Sequence, residues 1–177
     1  MLGNMRKNMK KILLVAAGAL LIGGWLLSCT SKNLEEQKER AEASRNLGEA
    51  YLREGKYSVA LKALLKAEAM TPDDYFLQND IGLTYYGKRK YDRAIRHFKR
   101  ALDLKSDYAP AMNNLGNAYM AQKRWDSAIE YYEKSLQLAR QIEDKSFVSE
   151  NLQMMGFACF GMAGIADYAQ ALDAFPQ

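Results

Sequence analysis

The chain has 177 residues, with 25 lysines and arginines against 21 aspartates and glutamates, one histidine and two cysteines. Nearly half the residues are apolar, which is enough for a real core. Two cysteines are too few for a disulfide framework, and one histidine leaves no recurring metal-ligand spacing.

The first 28 residues stand apart. Arg6, Lys7, Lys10 and Lys11 form a basic start, followed by the 16-residue apolar run Ile12 to Leu27 and then Ser28-Cys29. A bilayer span needs about 20 residues, so the run fits the apolar core of a secretory signal; an uncleaved signal anchor is the alternative. Leu26-Leu27-Ser28-Cys29 resembles the lipobox of bacterial lipoproteins. The resemblance implies cleavage before Cys29 and a diacylglycerol on its thiol, with more than one acyl chain making a stable membrane anchor. Thr30, where an aspartate would signal inner-membrane retention, resembles the outer-membrane address. The leader holds four of the 25 basic residues, leaving 21 against 21 in the rest. The basicity therefore belongs to the leader, and no nucleic-acid partner is expected.

Residues 29–40 carry the cysteine and a polar stretch without glycine or proline, which predicts a helical tether. From Ala41 apolar residues recur at threes and fours, the helical period. Leu47-Gly48-Glu49-Ala50-Tyr51, Ile81-Gly82-Leu83-Thr84-Tyr85 and Leu115-Gly116-Asn117-Ala118-Tyr119 are one phrase written three times. Gly48, Gly82 and Gly116 are 34 residues apart, and Gly156 follows after 40. Glycine inside a helix costs roughly 1 kcal/mol against alanine, so the repetition predicts close approach of a second helix backbone. Ala60, Ala94 and Ala128 are the matching small positions on that second helix, and enlarging one is expected to overpack the crossing by about 1–3 kcal/mol.

The pattern predicts an all-α chain of helix pairs over about 41–74, 75–108 and 109–142, with a degenerate fourth over 149–177. It resembles the tetratricopeptide repeat, whose period is 34 residues, although Ser44, Gln78 and Met112 stand where that family has tryptophan. Thr71-Pro72-Asp73-Asp74 predicts a helix stop followed by acidic residues at the next helix start. The stretch Ala139 to Lys145 predicts a lengthened loop before the fourth repeat, and Gly161 and Gly164 a crowded turn within it. Without a polar cap, the carboxyl end is expected to be covered by a partner or a second copy.

No phosphate-cradling glycine loop or H-E-x-x-H pattern occurs, and neither an enzyme nor a cofactor is expected. His97 is predicted on a solvated helix face among Arg93, Arg96, Lys99 and Arg100, and Cys159 as a buried inert thiol. The basic run from Lys88 to Arg100 reads either as a solvated face or as a surface for an anionic partner such as the membrane. In tetratricopeptide arrays the first helix of each pair lines a concave groove. The resemblance carries this over to Arg45, Asn79, Asn113 and Gln153, then Glu49, Leu83, Asn117 and Phe157, then Leu52, Tyr86, Met120 and Phe160. Amides can bond an extended peptide backbone beside an apolar row that takes its side chains. The lysine-and-asparagine clamp for acidic C-termini is not reproduced, so an apolar or amphipathic segment is the expected ligand. With its leader, the chain resembles the pilotin-like lipoproteins of type IV pilus biogenesis and stability. That implies a periplasm-facing helper, anchored in the outer membrane, that binds secretin subunits; an envelope adaptor for peptidoglycan hydrolases or barrel-assembly factors is the alternative.

Overall fold

A computed structural model describes residues 32–163. The leader, Cys29 and the second helix expected for the fourth repeat lie outside the described residues. The chain divides into two units, Met1–Arg40 and Ala41–Gln177. Of the first, residues 32–40 are helical and exposed, with Arg40 3.9 Å from Glu36 one turn earlier. No helix among the described residues is long and apolar enough to cross a membrane.

In the second unit, helix α1 (residues 32–53) is completed and followed by α2 (Tyr57–Glu68), α3 (Tyr75–Gly87), α4 (Tyr91–Leu104), α5 (Ala109–Ala121), α6 (Trp125–Gln141) and α7 (Lys145–Ala163). No strand occurs among the described residues. Helix α4 has the pattern of an outer helix. Ala94, Ile95, Phe98 and Ala101 are buried along one stripe while charged residues fill the other side. Helices α3 and α5 each bury seven residues of thirteen, as helices packed on more than one side must.

One turn is used four times, the fourth between α6 and α7, where the N–H of Asp144 donates to Ala139 O at 3.0 Å after Glu143 at φ 56°. In the first three, the N–H of Lys56 donates to Tyr51 O, that of Lys90 to Tyr85 O and that of Arg124 to Tyr119 O, each at 2.9 Å. The residues just before them, Gly55, Arg89 and Lys123, adopt φ of 71°, 58° and 59°. This is the left-handed exit in which the sixth residue bonds back to the first. Between pairs, Asp74 caps α3 by accepting from the N–H groups of Phe76 and Leu77 at 2.9 and 3.2 Å. The acidic residue expected at that helix start thus serves as its cap.

Three of the four repeated glycines do mark a close approach, but to a side chain rather than a helix backbone; Gly156 has no described atom within 4 Å of a Cβ. A Cβ on Gly82 would sit 2.5 Å from the Phe98 ring, one on Gly116 2.6 Å from the Tyr132 ring, and one on Gly48 2.5 Å from Leu64. At Gly48 main chain is near as well, Ala60 O at 3.4 Å. Sixteen residues separate each glycine from its partner, so the second helix of a pair lays its largest buried residue in the notch. Ala60, Ala94 and Ala128 are fully buried one turn earlier. Among the described residues the first helix has no preceding neighbour: Leu47 is 51% exposed, whereas Ile81 and Leu115 at the same repeat position are 0% exposed.

Two expectations at the carboxyl end are corrected. The extra residues before the fourth repeat do not form a long loop. They lengthen α6 to 17 residues and α7 to 19, with only residues 142–144 between them. Gly161 is not in a turn either; it lies within α7, where a Cβ would meet the Trp125 ring at 2.8 Å. The Tyr57 ring packs on Gly87 in the same way. Rings at the start of one second helix therefore seat on the first helix of the following pair.

Candidate peptide-binding groove

The twelve residues assigned to the groove fall on α1, α3, α5 and α7, and the structure sorts them into four groups. Arg45 and Glu49 belong to a charged cluster at the first pair. Asn79, Asn113 and Asn117 belong to an amide network. Leu52, Leu83, Tyr86 and Met120 form a half-buried apolar row, while Gln153, Phe157 and Phe160 are exposed on α7.

The amides are engaged with one another. Asn114 donates to Asn79 Oδ1 at 2.9 Å, across two repeats, and Asn117 donates to Asn113 Oδ1 at 3.1 Å. The Tyr132 hydroxyl, itself lying over Gly116, donates to Asn117 Oδ1 at 2.7 Å, and Asn113 reaches Glu150 at 3.4 Å. Asn79 and Asn113 are buried, so their first role is to satisfy the polar floor between repeats. Burial pushes the Tyr132 hydroxyl above its ordinary range, keeping it a neutral donor. Asn117, half-buried, is the most exposed asparagine of the three.

The charged cluster contains a residue that spacing alone did not single out. Arg45 Nη1 donates to Asp74 Oδ2 at 3.1 Å, and its buried Nε lies 3.3 Å from Glu49 Oε1 without an aligned hydrogen bond. Arg53 flanks Glu49 at 3.7 Å, and the Arg45 guanidinium stands 5.8 Å from the Phe76 ring centre. Asp80 completes the group. Burial, and after it the Glu49 carboxylate, pushes Asp80 up to about 7 against the pull of Arg45. Burial and then Asp80 push the Tyr108 hydroxyl up to about 12. Asp80 is the one charged residue in Tyr75–Gly87, and that isolation was the available signal. Three carboxyl groups, Asp80 being partly protonated near neutrality, thus face the Arg45 and Arg53 guanidiniums at this end of the groove.

Several other expectations change here. His97 is not on a solvated face. It is half-buried, its Nδ1 lies 2.9 Å from Gln78 Oε1, and its ring stacks on Tyr85 with centres 5.3 Å apart. Gln78 occupies the place of the missing tryptophan and also donates to Glu68 at 2.8 Å, so polar bonding replaces a large ring there. Burial lowers the His97 imidazole below its usual value, with Glu68 opposing. Cys159 is half-buried rather than buried, and burial raises its thiol, which keeps it protonated. Among the described residues no group of three histidines, cysteines or carboxylates is placed to hold a metal ion.

The family described as Tetratricopeptide repeat matches residues 33–75 and 79–141, more than half of the sequence. The chain belongs to the tetratricopeptide-repeat family. Solved tetratricopeptide domains superpose on it. The first such domain of Spaghetti (RPAP3), bound to the HSP90 peptide SRMEEVD, has a TM-score of 0.64 at 23% identity, over 72% of this chain and 96% of that one. The TPR2B-domain:pHsp70 complex of yeast Sti1 gives 0.65 at 20% identity, over 68% and 96%. MamA gives 0.64 at 24% identity, over 81% and 80%. At these identities the likeness is one of fold. No curated protein matches the chain.

Proposed function

We propose that this tetratricopeptide protein is a non-enzymatic interaction scaffold whose groove takes an amphipathic segment of another protein. The observation that carries the reading is the pairing of an apolar row, Leu52, Tyr86 and Met120, with a carboxylate-rich end at Glu49, Asp74 and Asp80. Apolar side chains of the ligand lie on the row, and a lysine or arginine of the ligand meets the carboxylates. The solved complexes named above hold an HSP90 and an Hsp70 peptide. A ligand ending in carboxylates, like SRMEEVD, is disfavoured here because the lysine-and-asparagine clamp for such ends is not reproduced.

The leader sequence supports a finer reading: a lipoprotein attached through Cys29 to the outer membrane, facing the periplasm, that binds secretin subunits and aids their assembly for type IV pili. An adaptor that recruits peptidoglycan hydrolases or barrel-assembly factors is the second reading, supported by the same leader and groove. Crosslinked pull-down from membranes tests both. Wild type is expected to recover secretin, Cys29→Ser to lose it from the outer-membrane fraction, and Tyr86→Ala with Phe157→Ala to recover at least tenfold less while keeping its helical circular dichroism. Recovery of hydrolases alone rejects the pilus role, and undiminished recovery by the folded double variant rejects the groove.

A further inference from the structure

The turns of the repeat stack divide by charge. Consecutive helices joined by short turns run antiparallel, so the α1–α2, α3–α4 and α5–α6 turns share one edge and the intervening turns the other. The first edge carries Lys56, Lys88, Arg89, Lys90, Lys123 and Arg124 against the single carboxylate Glu54. The opposite edge carries Asp73, Asp74, Asp107, Glu143 and Asp144 against the single cation Lys105. In a chain whose charges balance outside its leader, this is segregation and not excess.

Within the basic edge the long cationic run is not one surface. Arg100 turns away to Asp73 at 2.9 Å, Lys88 bonds Ser58 at 2.6 Å, and Lys99 lies over the Tyr119 ring. Four others converge. Arg89, Lys90, Arg93 and Arg96 line an open cleft of about 420 Å³ with Tyr91, Asp92 and Gln122. The one carboxylate there, Asp92, accepts from Gln122 at 2.7 Å. None of the four cations takes part in an ion pair among the described residues. Two are positioned by neighbours: Arg89 Nε donates to the Tyr91 hydroxyl at 3.3 Å, and the Arg93 guanidinium sits 5.6 Å from the Tyr85 ring centre. Like charges this close are not fully screened at physiological salt, where the Debye length is about 8 Å. A multivalent oxyanion relieves that repulsion, and guanidinium forks match its geometry.

We propose that this cleft is a phosphate-binding site that takes a phosphate group, supplied by the diester of a lipid headgroup or by free phosphate. It is distinct from the groove, since its residues come from a turn edge and from α4, and it stands whether or not the groove binds a peptide.

The test uses the full chain in maltoside micelles, titrated at constant ionic strength with dihexanoyl phosphatidylglycerol, dihexanoyl phosphatidylcholine or inorganic phosphate while backbone amide shifts are followed. Saturable shifts confined to residues 89–96 and 122 support the site. Phosphatidylglycerol binding at least tenfold tighter than inorganic phosphate assigns the headgroup source, and the reverse order assigns free phosphate. Arg93→Gln with Arg96→Gln, both exposed positions, is expected to weaken binding at least tenfold, while Lys62→Gln with Lys66→Gln on α2 leaves it unchanged. No saturable shift with any probe, equal binding by the Arg93 and Arg96 variant, or tighter capture of a thymidine oligonucleotide than of either phosphate probe overturns the proposal.

Discussion

Phe98→Ala is expected to destabilise the fold by about 3–5 kcal/mol, the usual cost of emptying a large buried ring site, read as a fall in thermal or urea midpoint. Phe98 is 0% exposed and fills the notch over Gly82, so its loss empties the joint of the second pair. The converse change, Gly82→Ala, places a methyl 2.5 Å from the Phe98 ring edge. A fully buried ring cannot swing aside, and the overpacking exceeds the roughly 1 kcal/mol of helix propensity gained. A net loss of about 1–2 kcal/mol is expected. At Gly156, the same repeat position, no described atom lies within 4 Å of a Cβ. Gly156→Ala is therefore expected to gain about 0.5–1 kcal/mol. Equal effects at Gly82 and Gly156 would show that the ring contact is not why glycine is there.

Asp80→Asn is expected to stabilise the protein above neutrality and to flatten its pH dependence. The folded-state value of about 7 lies above the ordinary value near 3.9, so between about pH 4 and 7 the folded state holds a proton that the unfolded state has released. Stability then falls as pH rises through that window and stays low above it. The substituted amide has no proton to lose. Because Asp80 is only partly buried and Arg45 lies close, most of the nominal penalty is screened, and a gain of about 1–2 kcal/mol at pH 8 is expected, shrinking to near zero at pH 4. Urea denaturation of wild type and variant at the two pH values measures it. A constant difference between them would mean that Asp80 is ionised throughout.

The helix pairs were legible because their signal is local and repeated. Glycine, tyrosine and alanine return at fixed spacing, and each return reports the same helix crossing. Reading the glycine notch as backbone contact failed because spacing shows that room is needed and not what fills it; the filling residue, Leu64, Phe98 or Tyr132, varies in kind. His97 was misplaced because its neighbours in sequence are arginines, while its partners, Gln78 and Tyr85, lie on another helix. The groove was legible as a face but not as chemistry. Whether Asn79 is offered to a ligand depends on Asn114, 35 residues away, and no period in one sequence reports that reach. The lengthening before α7 looked like a loop because its residues are polar, yet polar residues on an exposed helix satisfy water equally well.

The Tyr57 ring on Gly87 fastens the first pair to the second, and the Trp125 ring on Gly161 fastens the third pair to α7. A pair held only by its own crossing could melt alone, as a bead on a string. Here the ring that opens one second helix is a peg in the next first helix, so no interior pair can loosen without withdrawing a peg from a neighbour still folded. Fraying thus starts where a peg or its socket is lacking. At the amino-terminal side that is α1, whose Leu47 has no preceding pair among the described residues to cover it. The stack behaves as a hinged chain whose two pegged joints, α2 to α3 and α6 to α7, are its stiff ones.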